Sequence, residues 1–200
     1  MANKGVVWAT DRHPKRLETL KRRAGRAKLF NYRTALWEGP ALNPSTGSPR
    51  LPTKTKFDGI LVDAPCSGVG TWQRNPHARW ATTPNDVREL AVTQRALLEA
   101  VAGSLKPGGR LVYSVCTLTR SETTAVTNAF TAAHPELEPV PVLAEIRSQQ
   151  PEISAQSPIP LTSDLSPLTS GISPLTSGIF LWPQDLNANG MFIAAWKRKK

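Results

Sequence analysis

Hydrophobic positions in this chain alternate between short continuous runs and longer stretches with a helical rhythm. The continuous runs are GVVWAT at 5–10, the segment from Phe57 to Val62 and the segment from Arg110 to Val115. Runs of this kind are typical of parallel strands covered on both faces. Between them, apolar side chains recur every three or four positions, which indicates helices. This alternation predicts an α/β fold with a mostly parallel sheet.

The clearest predicted helix begins after Thr83. Thr83 is a suitable N-cap, Pro84 suits the first helical position and Asp86 completes a capping box. Apolar side chains then keep the helical rhythm as far as Leu105, and the sequence KPGG at 106–109 ends the helix. The helix therefore joins two of the predicted strands in a strand–helix–strand unit.

The same patterns predict several smaller elements around this unit. They are a helix at 14–24, a strand near 28–32, a helix at 121–133 capped by Ser121, a strand within 137–143, and an antiparallel pair at 179–182 and 191–196 that closes the fold. Prolines and small polar residues predict a loop at 39–56. The heptapeptide SPLTSGI occurs at 166–172 and again at 173–179. We therefore divide the chain into a catalytic portion at 1–145, a flexible Ser/Pro-rich insertion at 146–178, and closing strands with a basic tail at 179–200.

The charge balance points to an anionic partner. The chain has 25 Lys and Arg against 15 Asp and Glu, a formal charge of +10. Such an excess favours nucleic acid first and an acidic membrane second, with general solubility as the alternative. Seven of the basic residues crowd the first helix and its exit: Lys15, Arg16, Lys21, Arg22, Arg23, Arg26 and Lys28. They are candidates for phosphate contacts, and the alternative is a solvated helix face.

Other features narrow the setting of the protein. The N-terminal stretch MANKGVVWATD lacks the long apolar core of a signal peptide, and no apolar run approaches the roughly 20 residues that span a bilayer. The chain has only two cysteines, which does not suggest a secreted domain stapled by disulfides. His77 has no metal-ligand partner at a useful spacing and is interpreted as a loop residue. These features predict a cytoplasmic protein without a metal or a membrane partner.

The two cysteines follow two of the predicted parallel strands. Cys66 lies in the sequence DAPCSG at 63–68, and Cys116 lies in SVCTL at 114–118. Ligands bind at the carboxyl ends of strands in such sheets, so neighbouring strands would bring both thiols to one crevice. Cysteines also occur as small buried hydrophobic residues or as a disulfide, and this pattern alone leaves those interpretations open.

Four stretches carry a resemblance to a known family. They are ATD at 9–11, FDGILVDAPCSGVGTWQRNPHARW at 57–80, LKPGGRLVYSVCTL at 105–118 and NGMFIAAW at 189–196. In combination they resemble the RsmB/Nop/Sun family of RNA cytosine-carbon-5 methyltransferases, above all the bacterial branch that acts on 16S ribosomal RNA. The resemblance implies a class I methyltransferase fold, S-adenosylmethionine as cofactor and RNA, in particular ribosomal RNA, as substrate.

The resemblance also implies roles for four residues. Cys116 is expected to attack carbon 6 of cytosine, which turns carbon 5 into a nucleophile for the methyl group. Cys66 is expected to assist release of the adduct. Asp63 would hydrogen-bond the cytosine ring edge and is also expected to contact the cofactor. Asp11 would hold the ribose hydroxyls of S-adenosylmethionine, and its alternative role is that of a helix N-cap.

Other residues could support this chemistry. An ordinary thiol has a pKa of about 8.5, so a reactive thiolate needs a local positive field or a base. Arg74 and Arg120 are the nearest cations along the chain. Trp72 and Trp80 flank a basic stretch and could hold a splayed base, with core packing as the alternative.

The chain departs from the family pattern on the cofactor side. The Gly-rich cofactor loop and its strand, which should precede ATD, are not in the sequence, so the fold is expected to be N-terminally truncated. The strands at 6–10 and 60–62 would then lack the partner between them. The acid near the adenine is also missing, since the position falls near Thr34 with only Glu38 close by. We expect weak binding of S-adenosylmethionine unless a missing N-terminal segment is supplied. The alternatives are an inactive fragment that still binds RNA, or a protein that uses the site for binding alone.

Overall fold

A computed structural model describes residues 4–37, 55–142 and 178–200 of the chain. These residues belong to two compact units, Met1–Thr55 and Lys56–Lys200, which are treated separately below. Most of the loop predicted at 39–56 and of the insertion predicted at 146–178 lies outside the described residues.

The first unit is a strand–helix–strand motif. It consists of strand β1 (Val7–Asp11), helix α1 (Pro14–Arg26) and strand β2 (Tyr32–Leu36). The strands pair in parallel, with Val7 opposite Tyr32 and Asp11 opposite Leu36. Leu17 and Ala24 form the buried side of α1. The helical spacing predicted from the sequence is therefore confirmed.

The strand predicted near residues 28–32 is wrong in its position. Lys28 has a positive φ of 53°, and the backbone N–H of Leu29 donates to the carbonyl of Ala24 at 2.9 Å. These contacts form a turn that ends α1 and delays the strand to Tyr32. Leu29 and Phe30, whose apolar character suggested the strand, are 45% and 78% exposed.

Among its described residues, the second unit contains a five-stranded sheet. Its strands are β3 (Phe57–Asp63), β4 (Leu105–Val115), β5 (Leu137–Pro139), β6 (Gly178–Leu181) and β7 (Met191–Arg198), and its helices are α2 (Pro76–Ala81), α3 (Pro84–Ala102), α4 (Thr124–Ala133) and α5 (Pro183–Leu186). β3 and β4 are parallel, while β4, β5 and β6 all pair antiparallel to β7. The predicted closing pair is thus confirmed as β6 and β7. His77, predicted to lie in a loop, lies in α2.

Helix α3 connects β3 to β4 and packs against both. Its capping box forms as predicted: the backbone N–H of Asp86 donates to Thr83 Oγ1 at 3.2 Å, and the backbone N–H of Thr83 donates to Asp86 Oδ2 at 2.7 Å. The predicted cap of the following helix is wrong, because Ser121 lies in a 3₁₀ turn at Arg120–Glu122 and α4 begins only at Thr124.

The core of this unit lies between β4, β7 and the helices α3 and α4. Its fully buried side chains include Leu98, Leu111, Tyr113, Phe130, Phe192 and Trp196. Trp196 contacts Phe130 edge-on and donates its indole N–H to Thr131 Oγ1 at 2.9 Å. β3 lies at an edge of the sheet in the described part of the chain, and Leu61 on it is 67% exposed. The prediction that this strand would lack one partner agrees with that edge position. Among the described residues, no helix is long and apolar enough to cross a membrane.

Candidate active site at the ends of two parallel strands

The two cysteines meet where β3 and β4 end. Asp63, the last residue of β3, lies opposite Ser114, the residue before the end of β4. Cys116 follows β4 directly, and Cys66 lies three residues beyond β3. Their Sγ atoms are 3.4 Å apart, within hydrogen-bonding distance for sulfur. Both are free, half-buried thiols, so the structure brings together the residues predicted to share a crevice.

The contact between the sulfurs moves their pKa values in opposite directions. A hydrogen bond from Cys66 lowers the pKa of Cys116 to about 7, against the opposing effects of burial and of the negative charges of Asp63 and Glu122. The hydrogen bond with Cys116, followed by burial, raises the pKa of Cys66. As pH rises through neutrality the pair therefore loses its first proton from Cys116, while Cys66 keeps its own.

Asp63 ends β3 beside this pair. Its Oδ1 accepts a hydrogen bond from Ser114 Oγ at 3.1 Å, which ties the ends of the two strands together. The residue is otherwise exposed. A carboxylate has about four lone-pair sites, so Asp63 keeps capacity to accept hydrogen bonds from a ligand.

Backbone contacts hold the loop after Cys66 against the loop after β4. The N–H of Gly70 donates to the carbonyl of Cys116 at 3.1 Å, and the N–H of Gly190 donates to the carbonyl of Gly70 at 2.8 Å. The approach is so close that a Cβ atom on Gly70 would lie 2.1 Å from the carbonyl oxygen of Gly190. Glycine at position 70 is therefore a packing requirement of the site.

Behind the cysteines lies a buried carboxylate, Glu122, with an exposed fraction of 0%. Its Oε1 accepts hydrogen bonds from the backbone N–H of Ser67 at 2.8 Å and from Gln94 Nε2 at 3.0 Å. Its Oε2 accepts from the hydroxyls of Ser67, Thr117 and Thr119 at 2.5, 3.1 and 2.7 Å. All five donors are uncharged, and together they satisfy the buried charge.

The chain is similar to known proteins over nearly its whole length. Residues 1–197 match the family described as 16S rRNA methyltransferase RsmB/F. The chain belongs to this family.

Curated relatives support the assignment to the RsmB/F family. A probable ribosomal RNA small subunit methyltransferase B from Synechocystis sp. is 40% identical over 134 residues, which cover 67% of this chain and 29% of that protein. The ribosomal RNA small subunit methyltransferase B of Thermus thermophilus is 45% identical over 91 residues, 46% of this chain and 23% of the relative. The chain thus spans less than a third of the length of these proteins.

Solved structures show the same fold. NSun6 from Pyrococcus horikoshii, solved with the S-adenosylmethionine analogue SFG, superposes with a TM-score of 0.68 at 25% identity and covers 99% of this chain and 42% of its own. A methyltransferase homologue from the same organism gives a TM-score of 0.67 at 26% identity, covering 99% and 55%. The predicted class I methyltransferase fold is therefore confirmed, with a mixed sheet that is parallel at β3–β4 and antiparallel around β7.

In the first unit of this RsmB/F chain, Asp11 ends β1. Its Oδ1 accepts a hydrogen bond from the backbone N–H of His13 at 2.8 Å, and its Oδ2 lies 3.4 Å from Arg16 Nη1. The N-cap position of α1 is His13, so the alternative role of Asp11 as N-cap is wrong. Its side chain is 26% exposed, and a carboxylate has about four lone-pair sites, so Asp11 keeps capacity to accept further hydrogen bonds. Of the adenine-side positions, Thr34 is half-buried in β2 and Glu38 lies outside the described residues.

The structure bears on the supporting roles that the sequence suggested for the tryptophans and for nearby cations. Core packing is wrong for Trp80, which is 83% exposed with the guanidinium of Arg79 5.6 Å from its ring centroid. Trp72 is half-buried. The lowered pKa of Cys116 comes chiefly from Cys66 and not from a neighbouring cation. Within the described ranges there is no cluster of three or more side chains suited to a metal ion.

Sequence reasoning missed Glu122. An acid among serines and threonines at the start of a helix is usually a solvent-exposed capping residue. The available signal was the density of hydroxyl side chains around a single acid, in TLTRSETT at 117–124.

Proposed function

We propose that this chain carries the target-base side of an enzyme that methylates carbon 5 of cytosine in RNA, with ribosomal RNA in the cytoplasm as its substrate. One observation supports this most strongly. In a member of the RsmB/F family, two thiols 3.4 Å apart at the ends of adjacent parallel strands have pKa values shifted in opposite directions.

Cys116 is the nucleophile in this proposal. Its lowered pKa gives Cys116 a larger thiolate fraction at neutral pH than an ordinary thiol, whose pKa of about 8.5 leaves it roughly 3% ionised. The thiolate adds to carbon 6 of cytosine, and the electron pair of the 5,6 double bond becomes available at carbon 5. S-adenosylmethionine, when bound, supplies the methyl group as a sulfonium. In this proposal the carboxylate of Asp63, which is exposed and bonded to Ser114, hydrogen-bonds the edge of the ring.

Cys66 is the group that permits release of the methylated cytosine from Cys116 in this proposal. Its raised pKa is caused first by its hydrogen bond to Cys116 and also by the negative charge there. When the sulfur of Cys116 is bonded to carbon, its thiolate charge is gone, and these two causes disappear with it. Cys66 can then ionise and accept the proton of carbon 5. The electron pair of that C–H bond restores the double bond and expels the sulfur of Cys116.

In the first unit, Asp11 is the residue proposed to contact the cofactor. Asp11 would accept hydrogen bonds from the ribose hydroxyls of S-adenosylmethionine through its remaining lone pairs. The carboxyl end of a parallel strand is the usual place for such an acid in Rossmann-like folds.

The roles of the two cysteines are tested by trapping on RNA. Wild-type protein and the variants Cys116→Ala and Cys66→Ala, each in a version that carries the Gly-rich cofactor loop, are incubated with cytosine RNA, 5-fluorocytosine RNA and S-adenosylmethionine. Covalent complexes are then resolved on denaturing gels. We expect wild type to trap only the fluorinated RNA, Cys66→Ala to accumulate adduct with both RNAs, and Cys116→Ala to form none. Trapping by Cys116→Ala together with its loss in Cys66→Ala would reverse the assignment.

A second candidate function is RNA binding without catalysis. All seven basic residues of α1 and its exit are exposed. Phosphate contacts release counterions, so the affinity for RNA should fall steeply with salt. Replacing Arg22, Arg23 and Arg26 with glutamine should weaken binding equally for different RNA sequences and reduce the salt dependence. An unchanged affinity would mean that this face is only solvated.

A further inference from the structure

We propose that Glu122 is the residue that positions the two sulfurs, acting as a shared anchor for the loops that carry them. Nothing in the roles assigned to Cys66, Cys116 and Asp63 uses this carboxylate. It does not contact the sulfurs in any hydrogen bond described above, so it would act through the neighbours of the two cysteines.

Glu122 holds the residue after each cysteine. Ser67 donates both its backbone N–H and its hydroxyl to the carboxylate, at 2.8 and 2.5 Å. Thr117 lies at the corresponding place after Cys116, and its hydroxyl reaches the same carboxylate at 3.1 Å. The two hydroxyls are themselves 2.9 Å apart. The loops are thus joined at one point, immediately beside each sulfur-bearing residue.

Pro65, the residue before Cys66, is also held. Gln94 on α3 donates from Nε2 both to Glu122, at 3.0 Å, and to the carbonyl of Pro65, at 2.9 Å. The backbone is therefore fixed on both sides of Cys66 by one connected polar group. Gln94 is completely buried, so neither contact competes with water.

Burying a carboxylate at this place costs folding free energy. A buried carboxylate without hydrogen bonds is strongly destabilising, and even a well-satisfied one stabilises a fold little compared with apolar packing. A carboxylate offers about four lone-pair sites on two oxygens, enough to gather several donors from separate segments at one point. This gives Glu122 a function that an apolar residue of similar size could not perform.

Positioning and charge predict opposite effects on Cys116. The groups that act on its pKa are Cys66, Asp63 and Glu122, and the negative charge of Glu122 raises this pKa. If charge were its only effect, removing Glu122 would lower the pKa. If Glu122 keeps the sulfurs at 3.4 Å, removing it weakens the hydrogen bond from Cys66 and raises the pKa.

The experiment uses the full 200-residue chain in the wild-type form and three variants. Glu122→Ala removes the anchor, Thr117→Val removes one of its ties while leaving the carboxylate, and Thr131→Val is the control. Thr131→Val removes a threonine hydroxyl in the same unit, as Thr117→Val does, but this hydroxyl accepts a hydrogen bond from Trp196 at 2.9 Å. Alkylation of Cys116 by iodoacetamide is followed by mass spectrometry across pH, and bridging of the two thiols by phenylarsine oxide is followed by loss of free thiol. Thermal unfolding verifies that each variant is folded.

In Glu122→Ala we expect the midpoint of the alkylation profile to rise from about 7 toward the roughly 8.5 of an ordinary thiol. Bridging should slow by about tenfold, because it requires both sulfurs to be held within reach. Thr117→Val should move both readouts in the same direction by less, and Thr131→Val should match the wild type. A folded Glu122→Ala protein whose midpoint stays or falls, with bridging unchanged, would overturn the proposal.

If Glu122→Ala does not fold, the comparison of Thr117→Val with Thr131→Val decides. A raised midpoint in Thr117→Val alone supports the anchor, and identical profiles reject it. This inference rests on the proposed function in one respect only, since the proposed function gives the thiol pair its role in catalysis. Neither readout involves RNA or S-adenosylmethionine, so a failure to trap RNA and a failure of the anchor are separate results.

Discussion

Replacing Gly70 with alanine tests how the loop after Cys66 is held. The new Cβ would lie 2.1 Å from the carbonyl oxygen of Gly190 and 2.6 Å from its carbonyl carbon, so the backbones must separate. Separation breaks the hydrogen bonds that join Gly70 to Cys116 and to Gly190, at about 1 kcal/mol each. Strain in the neighbouring residues adds about 1 kcal/mol or more. We therefore expect Gly70→Ala to lose about 3 kcal/mol of unfolding free energy.

The assay is urea unfolding followed by tryptophan fluorescence and far-ultraviolet circular dichroism, with Gly103→Ala as the matched control. Gly103 ends α3 in the same unit with a φ of −65°, and a Cβ there meets nothing within 4 Å. Alanine at this place should be neutral or stabilising by up to about 1 kcal/mol, since it restricts the unfolded chain. If Gly70→Ala lost less than about 1 kcal/mol relative to Gly103→Ala, the close approach to Gly190 would not be a constraint on the fold.

Three further expectations concern the thiols, pH and a helix cap. Cys66→Ala should raise the midpoint of Cys116 alkylation from about 7 toward about 8.5, since the lost hydrogen bond is the main cause of the low pKa; a midpoint still near 7 would contradict this origin. Burial lowers the pKa of His134, but hydrogen bonds and negative charge from Glu136 and Glu99 outweigh it and raise the pKa. Their carboxylate oxygens lie 2.8 Å from Nδ1 and 2.7 Å from Nε2 of His134, respectively. Its stabilising contribution is therefore complete below the unfolded pKa of about 6.5 and is lost as pH rises through the folded pKa. Unfolding at pH 5.5 and pH 8.5 should show a smaller loss of stability with rising pH in His134→Gln than in the wild type, and equal losses would remove His134 as the cause. Thr83→Ala should cost about 1 kcal/mol by chemical denaturation, whereas Thr83→Ser, which keeps the cap, should cost much less; equal costs would mean that the cap is not responsible.

The parts of the fold that could be predicted from the sequence depend on residues close together in the chain. Helix α3 is specified by Thr83, Pro84 and Asp86 within its first turn, so its beginning was predicted at the right residue. The meeting of the two cysteines, which are 50 residues apart, followed instead from a general rule of sheet topology, because parallel strands bring their carboxyl ends to the same edge. The resemblance to a family then gave these thiols their proposed chemistry.

The parts that could not be predicted depend on contacts between distant positions. Glu122 is buried because Ser67 and Gln94, 55 and 28 residues earlier in the chain, lie against it in the folded protein. Such burial leaves no periodic signal in the sequence. The position of β2 was missed for a related reason: the left-handed backbone of Lys28 extends the exit of α1, whereas the apolar pair that follows is exposed.

The arrangement around β7 has a consequence for how the protein is made. This strand pairs with β4, β5 and β6, and the residue just before it, Gly190, holds the loop that follows Cys66. The ribosome synthesises residues 191–198 after every other described element, at roughly 5–20 residues per second. Until they emerge, three strands lack their shared partner, and the thiols on the nascent chain lack their final support. A ribosome that stalls a few codons before this strand would therefore leave both cysteines in an unfinished site, where oxidants and chaperones could reach them.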